Sequence, residues 1–289
     1  MRNSITIQSI AEAIRTKRPD LTVEISNTIK NRQTLQGLTI KSPSVNIAPN
    51  IYVDAYIEKF DDIDSIASAI LNTYEEHKCL NNFNVSDILN RDFILEHITL
   101  VMQQESDEPL IKLPNVSERF PGAEAYLAIV SDVDADASFS IKLNPQILAS
   151  AGVSIEDDNL FERAIDNIRN TVEIKSMFDT LKQMVALPDG CDEPSPFPEN
   201  MYVATNKSKV KGASVILCED VLYDFAKEHN LLDKGFHIIG SSVHECLFVF
   251  GDNLDIDSLS DMIRSVNETQ LEPIDILTNQ AWFYSPSKN

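Results

Sequence analysis

The clearest pattern of apolar and polar positions lies in residues 236–251, near the C-terminus. Two apolar runs, 236–239 and 243–250, are separated by Gly240-Ser241-Ser242, a short glycine-containing connection that predicts a β-hairpin. Alternation along the second run gives two faces, with His244, Cys246, Phe248 and Phe250 on one and Val243, Glu245, Leu247 and Val249 on the other. Because both faces are largely apolar, the pattern predicts a central strand that is covered on both sides.

Elsewhere, apolar positions with helical spacing alternate with short extended runs. Amphipathic helices are predicted to begin near residues 7, 62, 154, 219 and 255, and a further helix is predicted over about 172–186, while residues 91–104 are ambiguous between helix and strand. Extended runs predict strands at 21–25, 37–40, 51–53, 110–113, 125–130, 138–143, 201–205, 213–217 and 282–284. Paired strands separated by helices predict an α+β fold, with antiparallel sheets, helices packed on one face, and two β-rich units.

One five-residue segment recurs. Asp62-Ile63-Asp64-Ser65-Ile66 returns almost unchanged at residues 255–259, and each copy is predicted to start an amphipathic helix. Two interpretations are open. The copies belong to two related units, or each is an ordinary acidic first turn placed where the helix dipole favours carboxylates.

Residues 187–200 cannot form regular structure because they are rich in proline. Four prolines fall within this stretch, Pro188, Pro194, Pro196 and Pro198. The sequence predicts an N-terminal α+β region at 1–187, a connector at 188–200 and a C-terminal α+β unit at 201–289. An exposed connector of this kind should be the first place where a protease cuts.

The net charge restricts the possible partners of the chain, whereas its hydrophobic content indicates only that it can form a core. The 289 residues are 43% hydrophobic, enough for a real core, but they carry a formal net charge of −21. Such a charge opposes binding to nucleic-acid phosphates or to an anionic membrane, so we expect no direct binding of duplex DNA. The turn with Lys207, Lys209 and Lys211 is the one place where an exception could start. One interpretation of the acidic surface is that it only keeps the protein soluble. The other is that it imitates nucleic acid and so binds a partner with a basic surface.

The N-terminal residues lack the apolar stretch of a signal peptide, and no apolar run is long enough to cross a bilayer. We therefore expect a cytoplasmic protein without a membrane partner. The four cysteines, Cys79, Cys191, Cys218 and Cys246, are far apart, which predicts reduced and mostly buried thiols.

No cofactor is predicted, because the chain has neither a phosphate-binding glycine loop nor an HExxH pair. The alternating carboxylates Asp132, Asp134 and Asp136 are weak candidates for a cation site. A calcium loop of the EF-hand type needs glycine at its sixth position and glutamate at its twelfth, where this chain has Ala137 and Leu143. The segment is interpreted as an acidic hairpin loop.

The hairpin contains the only compact group of potentially reactive side chains. The candidates are Ser241, Ser242, His244 and Glu245, with Asn206 from a neighbouring strand. A serine, a histidine and a carboxylate that converge in space can form a hydrolase site. Adjacent residues of a regular strand point to opposite faces, however, so His244 and Glu245 should not form one dyad. The alternative is structural, with hydroxyls bonded to turn backbone and the imidazole satisfying a buried polar partner.

The same hairpin carries a family resemblance. Residues 241–245 resemble the Pro-Ser-Ser-Ile-His-Glu motif of an uncharacterised family, domain of unknown function 5688, found mainly in clostridial gut bacteria and their mobile elements. Residues 201–207 with Gly212-Ala213, and residues 46–53, are similar to two further signatures of that family. Gly240 stands where the motif has proline, and residues 277–280 replace a Leu-Ser-Asp segment. The resemblance implies no activity.

Two function hypotheses follow. The first is a non-enzymatic accessory or anti-defence factor of a mobile element, whose acidic surface meets an unknown protein partner with a basic nucleic-acid-binding site. The second is a hydrolase that uses the hairpin residues. A pocket beside His244 favours the hydrolase, and an acidic face without a pocket favours the binding protein.

Overall fold

The computed structural model describes residues 5–42, 50–77, 88–134, 137–185, 200–252 and 254–286. The chain divides into two compact units, one formed by Met1–Asn90 with Val133–Ala137 and the other by Arg91–Asp132 with Ser138–Asn289. The described strands form one five-stranded and two three-stranded antiparallel sheets, and helices lie between them in the chain. The prediction of an α+β fold is confirmed.

The first unit places two helices on one face of a three-stranded sheet. Its elements are α1 (Ile7–Lys17), β1 (Thr22–Lys30), β2 (Gln33–Lys41), β3 (Asn50–Tyr52), α2 (Asp54–Lys59) and α3 (Ile63–His77). Asn31 and Arg32 join β1 to β2 with φ angles of 45° and 66°, the left-handed backbone that a two-residue type I′ hairpin turn requires. The core between helices and sheet is fully buried at Ile10, Ile14, Leu38, Ile40, Ile66 and Ile70.

The two copies of the repeated acidic segment have the same local geometry. Asp62 accepts a hydrogen bond from the Ser65 backbone N–H at 2.8 Å before α3, and Asp255 accepts one from Ser258 at 2.9 Å before a later helix. Both aspartates are N-cap residues, which explains the repeat without a relation between the units. Hydrogen bonds from the Ser65 and Ser258 hydroxyls, and next the backbone bonds from the same serines, hold the pKa of both aspartates below the usual range.

The second unit contains the other two sheets. It begins with α4 (Arg91–His97), β4 (Ile98–Gln104), α5 (Val116–Arg119), β5 (Ala123–Asp134), β6 (Ala137–Lys142), α6 (Pro145–Ser150), α7 (Leu160–Arg169), β7 (Val172–Ser176) and α8 (Met177–Val185). It continues with β8 (Met201–Asn206), a 3₁₀ helix (Gly212–Leu217), α9 (Glu219–Glu228), β9 (Phe236–Ile239), β10 (Cys246–Val249), α10 (Ile256–Gln270) and β11 (Ala281–Tyr284). Strands β4, β5 and β6 form one sheet, and β7 to β11 form the other.

The five-stranded sheet has the order β11-β9-β10-β8-β7, so the hairpin strand β10 is central, as predicted. On one face, Phe225 of α9 packs against Phe236 and Phe248, with ring centroids 4.9 and 5.0 Å apart. On the other, Leu259 and Ile263 of α10 pack against the sheet. Helices therefore cover both faces of this sheet rather than one, in keeping with the two apolar faces of its central strand.

Several segments differ from the expected elements. Residues 110–113, predicted as a strand, contribute only an isolated bridge between Lys112 and Tyr126. Residues 172–176, predicted as the start of a helix, form β7, which pairs with β8. The apolar residues 213–217, predicted as a strand, form the buried 3₁₀ helix, because a short apolar run does not distinguish the two conformations. The predicted strand 243–250 starts only at Cys246, so residues 240–245 form the loop between β9 and β10.

Strand β7 pairs with β8 over five residues, from Val172 opposite Asn206 to Ser176 opposite Tyr202. The proline-rich segment lies between these two strands in the chain, and its residues 186–199 are outside the described part. An exposed connector at this place stays a prediction. Cys79 and Cys191 are also outside the described residues, whereas Cys218 and Cys246 are buried free thiols.

Candidate functional site

The loop 240–245 is fixed by backbone hydrogen bonds to two other segments. The Val243 N–H donates to the Asp275 carbonyl at 2.8 Å, and the Val243 carbonyl accepts from the Ala213 N–H at 3.3 Å. These bonds take the place of strand pairing for Val243, which is why the strand begins later than the alternation predicts.

Ser242 stabilises the loop from within. Its side chain is buried, its hydroxyl accepts from the His244 backbone N–H at 3.0 Å, and its own N–H donates to the Glu245 carbonyl at 3.1 Å. The Ser241 N–H donates to the Ile239 carbonyl at 2.9 Å. Among the hydrogen bonds of the described residues, neither serine hydroxyl reaches the imidazole of His244. The serines therefore act as turn residues.

His244 is held at both ring nitrogens. The Lys211 backbone N–H approaches Nδ1 at 3.2 Å, and Nε2 lies 3.2 Å from Oδ1 of Asp275. An amide can only donate, so Nδ1 accepts and Nε2 carries the proton that faces the carboxylate. The carboxylate partner is thus Asp275 and not Glu245. It lies 31 residues further along the chain, where no spacing in the sequence could indicate it.

Asn206 closes the neighbouring lysine turn instead of joining the serines. Its Nδ2 donates to the Val210 carbonyl at 2.9 Å, and its Oδ1 accepts from the Ser208 hydroxyl at 3.1 Å. The five candidate residues therefore belong to two adjoining loops. They do not converge as nucleophile, base and orienting carboxylate.

Gly212 is the point where these loops meet. A Cβ atom there would overlap Thr205 Oγ1 and lie 2.7 Å from both the Asn206 nitrogen and the His244 carbonyl oxygen. Thr205 in turn donates its hydroxyl to that same His244 carbonyl at 2.8 Å. The segments 201–207, 212–213 and 241–245, which carry the sequence resemblance, are thus packed together in one junction.

A cleft of about 400 Å³ lies on the other side of the lysine turn. Its walls come from the start of β4, the end of α7 and the turn after β8, and include Glu96, His97, Asn206, Lys207, Ser208 and Lys211. The lining does not include His244, which lies behind the turn and touches it through the Lys211 backbone. A cleft therefore exists near the hairpin, but its chemistry is set by lysines and hydroxyls rather than by the imidazole.

Two of the three predicted cation candidates lie within a strand. Asp132 and Asp134 lie within β5, and Asp136 is outside the described residues. Among the residues that the structure describes, no three histidine, cysteine or carboxylate side chains are grouped as a metal would require. In the same residues, no helix combines the length and the apolar character that a membrane span needs.

Comparisons with known proteins assign the chain to a family without assigning it an activity. No curated protein and no solved structure is similar to the chain. A model of a family of unknown function, DUF5688, matches residues 6–286 and so spans both units. The match extends over nearly the whole chain and includes all the segments that meet at Gly212. The chain therefore belongs to the family of unknown function DUF5688.

Proposed function

We propose that the chain is a non-catalytic binding protein whose acidic surface docks on a basic surface of a partner protein, of the kind that otherwise holds nucleic acid. The observation that carries this proposal is the outer face of α10. Asp257, Asp261 and Glu268 are exposed there at spacings of four and seven residues, which places their carboxylates on one stripe of the helix.

An apolar strip runs beside these carboxylates. Met262 and Val266, one turn apart on α10, are 47% and 44% exposed although their neighbours Leu259 and Ile263 are buried. Half-exposed apolar side chains next to charged ones resemble the centre and rim of a protein interface. This mixed character favours a protein partner.

The charge of this face of α10 indicates that the partner's surface is basic. Its one cation, Arg264, is paired with Asp261, and Asp257 and Glu268 have no ion-pair partner within the described part of the chain. The net charge of −21 adds a long-range field of the same sign. Such a field speeds the approach of a basic surface and repels an acidic one.

The hydrolase alternative has less support. Both ring nitrogens of His244 are engaged, and no hydroxyl among the described residues contacts them. A general base must reach the proton that it removes, and here the accepting nitrogen is occupied by a backbone amide. The arrangement favours a structural role for His244.

The proposal is tested by capturing partners from a native lysate and then measuring the affinity of each purified partner. A triple variant Asp257→Asn, Asp261→Asn, Glu268→Gln is compared with a control of equal charge change, Glu12→Gln, Glu24→Gln, Glu58→Gln, whose residues are exposed on the first unit. We expect the α10 variant to lose about tenfold or more in affinity and the control to change little.

Two further results bear on the same proposal. Duplex DNA should compete for the partner without binding the chain itself. Equal affinities of the two triple variants, or a partner indifferent to DNA, contradict the proposal. An esterase or peptidase turnover that His244→Ala abolishes without loss of stability would instead establish the hydrolase.

A further inference from the structure

We infer that the cleft beside the lysine turn binds a small ligand that carries a phosphate or carboxylate group, with Lys207 as its main contact. This inference does not rest on the proposed docking face of α10. It starts from the position of a cation inside a concave site of a strongly acidic chain.

The charge of Lys207 is not neutralised by a carboxylate among the described residues. Its ammonium donates to the Asn170 carbonyl at 3.0 Å, a neutral acceptor. An ammonium has three N–H donors, so two remain for a ligand. A charged donor to an oxyanion forms hydrogen bonds about twice as strong as those between neutral groups.

The backbone keeps Lys207 at the wall of the cleft. Its N–H donates to the Thr171 carbonyl at 2.9 Å, and the Asn206 side chain closes the turn behind it. Lys211, a second cation of the lining, is fixed through its backbone by His244. The two loops that meet at Gly212 therefore hold the lysine turn in place at the wall of the cleft.

The opposite wall adds a positioned histidine and few unsatisfied acceptors. His97 Nδ1 lies 3.0 Å from the Phe93 carbonyl and therefore donates, while its ring stacks on Phe93 at 4.1 Å, so Nε2 is left for other contacts. Asn167 Nδ2 lies 2.8 Å from the Ile98 carbonyl oxygen and 3.3 and 3.2 Å from those of Leu95 and Glu96, and its two N–H groups are shared among these three acceptors. This amide therefore partly neutralises the carbonyl oxygens of this wall, which reduces their repulsion of an anion. Glu96 is the acidic side chain of the lining.

The dimensions select a small molecule. A volume of about 400 Å³ lies in the range of pockets that hold metabolite-sized ligands. A duplex, whose phosphates need an extended basic surface, does not fit this geometry. The inference is therefore compatible with the expectation that the chain does not bind DNA.

The test is calorimetric titration of the full-length protein with inorganic pyrophosphate and, separately, with citrate. Two variants are compared, Lys207→Gln and Lys209→Gln. Both remove one positive charge from the same turn, but Lys209 does not line the cleft. We expect at least one probe to bind with millimolar or better affinity, a loss of about tenfold in Lys207→Gln, and less than about twofold in Lys209→Gln. The probe that binds more tightly identifies the phosphate or the carboxylate as the preferred group.

Other outcomes overturn the inference. One is the absence of binding by either probe at about 10 mM. Another is an equal loss of affinity in both variants, as expected for unspecific attraction to the turn. If Lys207→Gln does not fold, amide chemical shifts of the parent protein decide the matter. Pyrophosphate or citrate must then perturb residues 97–99 and 206–211, and perturbation confined to other regions contradicts the site.

Discussion

Gly212 is the residue on which the junction of loops depends most directly. Its neighbours include backbone atoms of Asn206 and His244, which belong to a strand and a pinned loop and cannot move aside. An added methyl group must therefore displace one of these segments.

Gly212→Ala should lower the free energy of unfolding by about 2–3 kcal/mol, because overpacking against fixed atoms costs this much. Gly37→Ala is the matched control, since the atoms near Gly37 belong to the side chain of Asn50, which can turn away without moving any backbone, although it gives up its hydrogen bonds to Ser26 and Thr28. Its cost should stay near 1 kcal/mol. Urea unfolding of both variants checks the order, and equal losses contradict the packing argument.

His244→Ala should also destabilise the protein, by about 1–2 kcal/mol, because it leaves the Lys211 amide without its acceptor and removes the contact to Asp275. Ser241→Ala should cost less, about 0.5 kcal/mol, since no hydrogen bond of its hydroxyl is present among the described residues. Denaturant unfolding of both variants is the measurement. A His244 variant as stable as the parent argues against a structural imidazole.

At the scale of residues, the sequence indicated which segments form the junction but not which side chains contact each other there. The resemblance pointed to 201–207, Gly212 and 241–245, and these do pack together. Asp275 could not be found in advance, because the contact joins two irregular segments without periodicity or fixed spacing. The cleft was equally hidden, since its walls come from β4, α7 and the turn after β8.

At the scale of elements, periodicity predicted long helices and the central strand better than it predicted where elements end. Helix α10 shows the limit. Leu259, Met262, Ile263 and Val266 form one apolar stripe in the sequence, yet only Leu259 and Ile263 are buried. One apolar stripe of a helix can contain both buried residues and residues exposed to solvent. The sequence alone does not indicate which of its positions face the sheet.

The turn between β1 and β2 offers a prediction at this scale. Arg32 has a φ of 66°, and a left-handed backbone costs a side-chain-bearing residue about 1 kcal/mol. Arg32→Gly gives an Asn-Gly pair, the preferred sequence of a type I′ turn. The free energy of unfolding should rise by about 0.5–1 kcal/mol after the extra chain entropy of glycine is subtracted. Thermal and urea unfolding measure the gain, and a loss of stability would contradict the turn assignment.

At the scale of the whole molecule, paired carboxylates make stability depend on pH. Hydrogen bonds from Arg169 hold the pKa of Asp220 below its usual range, and those from Arg18 do the same for Asp20. Burial raises the pKa of Glu124, but hydrogen bonds from Lys112, Gln103 and Ser106 outweigh it, and the net shift is downward.

A folded-state pKa below the unfolded value stabilises the protein above the unfolded pKa, and this contribution is lost as pH falls through the folded pKa. We therefore expect stability to decline below about pH 4, the unfolded value of a carboxyl group. Between about pH 7 and 5 partial neutralisation of the net charge of −21 should relieve repulsion and oppose any loss.

Urea unfolding between pH 7 and pH 3 tests this expectation. Asp220→Asn should make the loss of unfolding free energy at acid pH smaller, because the variant lacks one carboxyl group whose pKa is lowered in the folded state. Asp224→Asn, on the same helix and exposed but without an ion pair among the described residues, is the control. Stability that stays constant down to pH 3 contradicts the argument.

The pairing of β7 with β8 means that a break in the covalent chain between them need not separate the two halves. A gene divided within codons 186–199 would encode two polypeptides that hold complementary parts of one sheet, β7 in the first and β8 to β11 in the second. Each fragment alone exposes a strand edge that its counterpart covers, which favours reassociation over independent folding. The two products should copurify in equal amounts when they are expressed together. The two fragments could then be used as a split reporter, because their copurification would show that β7 has paired with β8 and that the five-stranded sheet is complete.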